Sequence, residues 1–189
     1  IKSKFKKKLT ININKKNVGY GANIKNCINF AFKNNIDYAV MLHVDNQYNP
    51  KYLKDMLKNL VTNNNIAAMS GSRMTKKINA LKGRMPLYKF FGNIVLTKLF
   101  NFLYNTNFTD CHTGYWAYNL NIIKKKVFHA ADNKFCFDID MRLMLTKNKL
   151  IIGELPIETI YGNERSSIHF IYALRFFLKT FKYKLFKEL

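Results

Sequence analysis

The segment DYAVMLHVDNQYNP, residues 37–50, decides the fold class. It begins as a nearly continuous apolar run, which is typical of a central parallel strand covered on both faces. The polar residues Asp45, Asn46 and Gln47 follow at once, and Pro50 opens a helical pattern. A buried strand that leads through polar residues into a helix is a building unit of an α/β fold.

The alternation of strand and helix patterns continues on both sides of this segment. Apolar spacing predicts helices at 21–35, 50–63, 87–105, 135–148 and 166–189. Strands are predicted at 8–14, 66–73 and 149–156, with a turn and a short strand at 109–119. The stretch 75–86 has no regular pattern and predicts a mobile cationic loop. We expect an α/β domain at 1–168, with a largely parallel sheet flanked by helices, and an amphipathic helix at 169–189.

The composition points to an anionic partner. The formal net charge is +21, from 32 Lys and Arg against 11 Asp and Glu. Such a balance suits nucleic acid, an acidic membrane surface or phosphate-bearing substrates. The three cysteines have no paired spacing, which indicates a reducing compartment rather than a disulfide framework or a zinc site. The sequence has no uninterrupted apolar run of about 18 or more residues, which is the pattern that would predict a membrane span.

Two strand ends carry polar side chains that could form a site. Ligands of parallel α/β sheets bind at the carboxyl ends of strands. The carboxylate of Asp45 and the carboxamide of Gln47 could hold a hard divalent cation that also binds a diphosphate. Arg73, at the end of the next strand, suits phosphate oxygens. The alternatives are an ordinary turn at Asp45, which the local pattern favours, and an exposed arginine in a basic protein.

Two further features have open alternatives. Asp110 and His112 could serve acid–base or metal chemistry, or they could belong to a capped turn. The helix at 87–105 and the C-terminal helix have broad apolar faces edged with Lys and Arg. Such faces suit a membrane interface with anionic lipid, but they equally suit packing in the core or against a partner subunit.

Seven segments in order carry a resemblance to a known family. They lie between residues 17 and 168 and read NVGYGAN, MLHVDNQYNP, GSRM, MPLYKFFGN, CHTGYWAYN, FCFDIDM and GELPIETIYGNERSSI. Together they resemble the family 2 glycosyltransferases, specifically the branch of dolichyl-phosphate mannosyltransferases and polyprenyl-phosphate glycosyltransferases. The resemblance implies a GT-A type domain that binds a nucleotide-diphosphate sugar.

The resemblance also assigns residues. HVDNQ matches the DxD-like metal motif of the family, which makes Asp45 and Gln47 the ligands of Mg²⁺ or Mn²⁺. His43 stands where many relatives carry a first Asp, and this departure changes the charge of the metal site. Arg73 matches the family's arginine near phosphates, and Asp110 matches its active-site aspartate. Arg165 and Ser166 match the late loop that closes over phosphates.

Two departures from the family pattern create expectations. Trp116 stands where relatives usually carry Arg, which predicts a missing cationic contact. The opening strand and the segments that hold the nucleotide base and ribose are absent, so we expect about 40 to 50 further residues, one strand–helix–strand unit, upstream. The chain as given is therefore expected to bind nucleotide poorly.

The expected reaction is the metal-dependent, inverting transfer of a sugar from a nucleotide-diphosphate sugar to a polyprenyl phosphate. The resemblance and the basic, amphipathic helices imply a peripheral protein at the cytoplasmic face of a membrane, with an anionic membrane surface as partner. Two alternatives stay open: a basic nucleic-acid-binding module, disfavoured because the charge is dispersed and no nucleic-acid motif is present, and a catalytically silent remnant of the same fold.

Overall fold

The computed structural model describes residues 9–43, 45, 47–161 and 170–185. Within them, four strands form one sheet: β1 (Tyr38–Val40), β2 (Ile66–Ser72), β3 (Trp116–Asn119) and β4 (Ile151–Pro156). The helices of this part are α1 (Tyr20–Lys33), α2 (Leu53–Thr62), α3 (Lys77–Lys82), α4 (Leu87–Tyr104), α5 (Lys125–Ala130), α6 (Phe137–Lys147) and α7 (Phe170–Leu185). The α/β class with helices around a sheet is confirmed.

The strands lie in the order β1-β3-β2-β4. β3 is antiparallel to both of its neighbours, whereas β2 and β4 are parallel. Three strands therefore run in one direction and β3 runs against them. The prediction of a central parallel strand at 37–44 is wrong in its pairing, because β1 contacts only β3 in the described sheet, with Val40 opposite Ala117.

The sheet has a hydrophobic cluster on each face, as alternation along its strands requires. On one face, α1, α5 and α6 cover β2 and β3, with Ala68 and Trp116 in the cluster. On the other face, α2 packs Met56 and Leu60 against Met69 and its neighbours. The end of the sheet at which these strands terminate lies between the two helical layers.

The ends of the helices follow local signals. α2 is preceded by a 3₁₀ turn at Pro50–Tyr52, where the Asn49 side chain accepts a hydrogen bond from the Lys51 amide. α4 ends at Asn105, which adopts the left-handed conformation with φ 51°. Gly21 lies where α1 crosses the 132–133 segment, and a Cβ there would collide with the backbone carbonyl of Asp132.

Three sequence predictions differ from the structure. Residues 9–14 of the predicted strand at 8–14 are not a strand, because they are exposed and Asn14 uses its side chain to bond Asn23 of α1. The predicted loop at 75–86 contains α3, which buries Ala80 in a small cluster. The short helix α5 was not predicted at all.

The C-terminal helix packs against the rest of the chain. Phe176 of α7 is buried with Phe100 of α4, Cys111 and Leu143 of α6. The Tyr104 hydroxyl donates a hydrogen bond to the backbone carbonyl of Thr180, 2.9 Å away. Among the described helices, none combines the length and the hydropathy that a membrane-spanning segment requires.

Candidate active site

The topology brings the predicted site residues to one edge of the sheet. β1 and β2 are both antiparallel to β3, and β4 is parallel to β2. The carboxyl ends of β1, β2 and β4 therefore meet the amino end of β3. Four predicted residues follow β1 and β2 or precede β3: Asp45, Gln47, Arg73 and Asp110.

Arg73 and Asp110 are in direct contact as a buried ion pair. The Arg73 Nε lies 2.7 Å from Oδ2 of Asp110, and its Nη2 lies 2.9 Å from Oδ1. The Arg73 backbone amide also donates to Oδ2, at 3.1 Å. Arg73 is 9% exposed and Asp110 is fully buried. This fork-to-fork geometry is the strongest form of such a contact.

The surroundings of Asp110 complete its hydrogen bonds. Asn93 of α4 donates to Oδ1 at 2.7 Å, and the backbone amide of His112 donates to the same oxygen at 3.0 Å. The Glu154 carboxylate of β4 accepts from the Asp110 amide at 3.1 Å. Contacts from α4, from β4, from the residue after β2 and from its own turn thus hold this one aspartate in place.

The contacts of the pair decide its charge state. Burial opposes the ionised form of Asp110, but Arg73 and the hydrogen bonds from Asn93 and His112 outweigh it and hold the pKa of the carboxyl well below its usual range. Burial likewise opposes the charge on Arg73, and Asp110 raises its pKa well above the ordinary value. Asp110 is therefore a carboxylate of low basicity at neutral pH.

His112 contributes its backbone to this site, and Nε2 of its ring is buried. The ring packs against Phe176 with centroids 4.3 Å apart, and Nε2 has no hydrogen-bond partner within the described part of the chain. Burial lowers the pKa of His112 to about 4, against the attraction of Asp110. The ring is thus neutral at pH 7 and packs as a core side chain.

Asp45 and Gln47 form a turn after β1. The Gln47 amide donates to Oδ1 of Asp45 at 3.0 Å, and Asp45 is exposed. The turn uses one lone pair of the carboxylate, so it leaves donors for a metal. Carboxylate and carboxamide oxygens are ligands that Mg²⁺ and Mn²⁺ take, and the donor types fit. No cluster of three or more metal-binding His, Cys, Asp or Glu occurs in the described chain, so further donors would be needed.

The segment after β1 is docked on the turn that precedes β3. The Gly114 amide donates to the Tyr48 hydroxyl at 3.1 Å, and the Gly114 carbonyl lies 3.0 Å from Nε2 of His43. A Cβ at Gly114 would come within 3.2 Å of that ring nitrogen, so the close approach favours glycine. Tyr48 is also near enough to Arg73 and Asp110 for their charges to affect its pKa, which burial raises.

Tyr20 and Asp138 join this site, and the sequence reasoning missed them. The Tyr20 hydroxyl donates to Oδ2 of Asp138 at 2.9 Å and lies 3.4 Å from Nε2 of His43. Oδ1 of Asp138 is buried with no partner among the described residues. Burial raises the pKa of Asp138 to about 7, against Tyr20 and Arg142. The signal in the sequence was a carboxylate inside the apolar segment FCFDIDM.

A buried cation packs against Trp116, the position at which the family pattern usually has Arg. The guanidinium of Arg142 on α6 lies 4.7 Å from the Trp116 ring and 4.5 Å from the ring of Phe108. Its Nη2 donates to the backbone carbonyl of Asp110 at 3.1 Å. Arg142 is fully buried, so this cation supports the turn at Asp110 from the core side.

The two remaining predicted residues, Arg165 and Ser166, lie outside the described residues. Tyr161, the last described residue before them, accepts a hydrogen bond on its hydroxyl from Nη1 of Arg73 at 2.9 Å. The chain that leads to the predicted phosphate loop therefore starts in contact with the Arg73–Asp110 pair.

Known proteins match this chain over most of its length. The family model described as "Glycosyl transferase family 2" matches residues 2–126. The chain is 28% identical over 145 residues to a UDP-N-acetylglucosamine–dolichyl-phosphate N-acetylglucosaminyltransferase of Methanococcus voltae, covering 77% of this chain and 57% of the relative. An uncharacterized protein of Methanocaldococcus jannaschii is also 28% identical over 145 residues, covering 77% and 58%. The chain thus spans less than two thirds of the length of these relatives.

Proposed function

We propose a reaction for this chain, which belongs to glycosyl transferase family 2. The reaction is the transfer of one sugar from a nucleotide-diphosphate sugar to a polyprenyl phosphate. The observation that carries the proposal is the meeting of Asp45, Gln47, Arg73 and Asp110 at one sheet edge in a member of this family. The name of the Methanococcus voltae relative supports the two substrate classes.

In this proposal, Asp45 and Gln47 hold Mg²⁺ or Mn²⁺ through a carboxylate and a carboxamide oxygen. The metal supplies positive charge that neutralises the departing diphosphate. The turn in which the Gln47 amide bonds Asp45 holds the carboxylate near the carboxamide, so the two donors need little further ordering.

The roles of Arg73 and Asp110 follow from their ion pair. A polyprenyl phosphate is already ionised near neutral pH, so the reaction needs no strong general base. Asp110 is a weak base, which supports a role in orienting groups or in stabilising a positively charged sugar centre. Arg73 supplies fixed positive charge, and we assign phosphate binding to it together with Arg165 and Ser166. Direct displacement in this site would invert the sugar carbon.

The exposed faces of α4 and α7 support docking on a membrane surface. On α4, the stripe Tyr88, Phe91, Val95 and Phe102 is exposed, opposite the residues that α4 buries. On α7, Leu174, Phe177, Leu178 and Leu185 are exposed, and Phe176 and Thr180 on the other side are buried. Helical spacing places Arg175 and Lys182 beside the α7 stripe. Apolar stripes edged with cations suit an anionic lipid surface.

The test of the proposed reaction is the variant Asp45→Ala. Transfer from UDP-N-acetylglucosamine to a polyprenyl phosphate is measured by the glycolipid formed, with Mg²⁺ or Mn²⁺ present. We expect activity to fall about 100-fold or more, because the developing negative charge loses its counterion. The control is Asp55→Ala, an exposed aspartate in the first turn of α2. Unchanged transfer by Asp45→Ala contradicts the proposal.

A further inference from the structure

We propose that His43 is a third ligand of the metal, through Nδ1, and that it makes the site prefer a first-row transition ion to Mg²⁺. This inference rests on the metal site of the proposed function. The inference gives His43 the role of a metal ligand at the position where many relatives carry an Asp.

The hydrogen bonds of His43 decide its tautomer. A backbone carbonyl can only accept, so Nε2, which lies 3.0 Å from the Gly114 oxygen, carries the proton. Tyr20 fits the same assignment, because its hydroxyl donates to Asp138 at 2.9 Å and presents a lone pair 3.4 Å from Nε2. The neutral ring then keeps its free electron pair on Nδ1, the form in which imidazole binds metals.

The ring is also held in place. The ring lies 5.3 Å from the Tyr48 ring and 5.7 Å from the Tyr20 ring, measured between centroids, with interplanar angles of 65° and 38°. Histidine ligands of metals usually donate their other ring nitrogen to a carbonyl or carboxylate, which fixes the ring and raises its basicity. His43 has this arrangement, with the Gly114 carbonyl as the outer partner.

Nδ1 is available for a site shared with the residues that follow in the chain. Asp45 follows His43 by two residues and Gln47 by four, so the three side chains belong to one short segment after β1. Within the described chain, the hydrogen bonds found for this ring all use Nε2. His43, Asp45 and Gln47 together supply three donors and leave coordination positions for diphosphate oxygens.

The donor set predicts the ion. Mg²⁺ takes almost exclusively oxygen ligands, whereas imidazole nitrogen binds transition ions with affinity rising from Mn²⁺ to Co²⁺. Replacing a carboxylate by a neutral imidazole also removes one negative charge from the site. This loss weakens the binding of a hard cation such as Mg²⁺ most. A site with His43 as a ligand therefore prefers a first-row transition ion to Mg²⁺, because its donor set includes an imidazole nitrogen.

The test measures metal binding itself. Binding of Mn²⁺, Co²⁺ and Mg²⁺ is titrated by calorimetry, with and without uridine diphosphate, and bound Mn²⁺ is examined by pulsed electron paramagnetic resonance for coupling to a ¹⁴N nucleus. We expect the unaltered protein to show this coupling and His43→Asp to lose it. We also expect the ratio of Mn²⁺ to Mg²⁺ affinity to fall about tenfold or more in His43→Asp.

The outcomes separate this inference from the proposed function. The control His129→Gln removes an exposed histidine bonded to Asn29 and leaves the coupling intact. Mn²⁺ bound without ¹⁴N coupling, with the same ion preference in His43→Asp, overturns the role of His43 and leaves the metal site standing. Absence of any metal binding, with uridine diphosphate present, overturns both. His43→Gln, which also removes the imidazole, gives the same readout if His43→Asp does not fold.

Discussion

The Arg73–Asp110 ion pair is the residue-scale feature on which the site is built. It satisfies a buried charge with a fork of hydrogen bonds and links the end of β2 to the turn before β3. Removing one partner of such a pair leaves the other charge buried and unpaired. The contact therefore serves stability as well as the proposed chemistry.

The substitution Asp110→Asn tests the stability role of this pair. We expect the free energy of unfolding at pH 7 to fall by about 3–5 kcal/mol, because Arg73 stays charged and buried. Urea unfolding followed by circular dichroism measures the change. Glu158→Gln, which removes an exposed partner of Lys51, is the control and should leave stability almost unchanged. Equal effects of the two substitutions would contradict a buried, paired Asp110.

Asp138 predicts a pH dependence of opposite sign to that of Asp110. Its pKa is about 7 in the folded chain against an ordinary value of 3.8. Between these values the folded state binds more protons than the unfolded state, so this group lowers stability as pH rises from about 4 to 7. Asp110, whose pKa is lowered, instead loses its contribution only under acid conditions, as pH falls below about 4.

The substitution Asp138→Asn removes that titration and keeps an acceptor for Tyr20. We expect the stability of the variant relative to the unaltered chain to rise by up to about 4 kcal/mol between pH 4 and pH 8. His112 titrates with the opposite sign in an overlapping range, so the difference between the two proteins, measured by urea unfolding at each pH, isolates Asp138. A difference that does not change with pH would show that the carboxyl is ionised throughout.

At the scale of elements, α7 is fastened on one side and exposed on the other. Lys179 lies 2.7 Å from both carboxylate oxygens of Asp140 on α6, and Phe176 is buried. Leu174 and Leu178 lie on the exposed side of the helix, at 48% and 57% exposure. Apolar side chains held in solvent by a fixed helix are available to a lipid surface.

The double variant Leu174→Ser and Leu178→Ser tests this stripe. Burying a leucine side chain contributes roughly 1.5–3 kcal/mol, so we expect binding to anionic vesicles to weaken at least about tenfold. Co-sedimentation with vesicles that contain phosphatidylserine measures the binding. Val61→Ser, an exposed apolar residue of α2, is the control and should bind normally. Normal binding by the double variant would point to another use of the stripe.

At the scale of the whole molecule, the net charge of +21 should act on any anionic surface over a short range. Screening limits that range to about 8 Å at physiological ionic strength. We expect binding to anionic vesicles and little binding to neutral ones, with affinity that falls as salt is raised. Vesicle co-sedimentation across a salt series is the measurement. Equal binding to anionic and neutral vesicles would contradict an anionic membrane surface as the partner. Strong salt-dependent binding to RNA would favour the nucleic-acid-binding alternative.

Most elements could be predicted because their patterns are local. The buried spacing of Ile24, Ile28 and Ala31 identified α1, and the apolar run at 66–72 identified β2. The exposed segment at 9–14 has the same alternation as a strand but forms none, since alternation alone does not supply a neighbouring strand. The position of β3 between β1 and β2 was likewise beyond the reach of local pattern.

The sequence by itself determined the fold class, the family resemblance and the choice of four candidate site residues, because strand ends, turn residues and motif order are properties of short segments. Only the tertiary structure decided how those residues are used. It paired Arg73 with Asp110 across 37 positions, placed Arg142 against Trp116, and joined Tyr20, His43 and Asp138. Such contacts depend on the packing of distant elements and on the requirement that buried polar groups find partners, which no local pattern records.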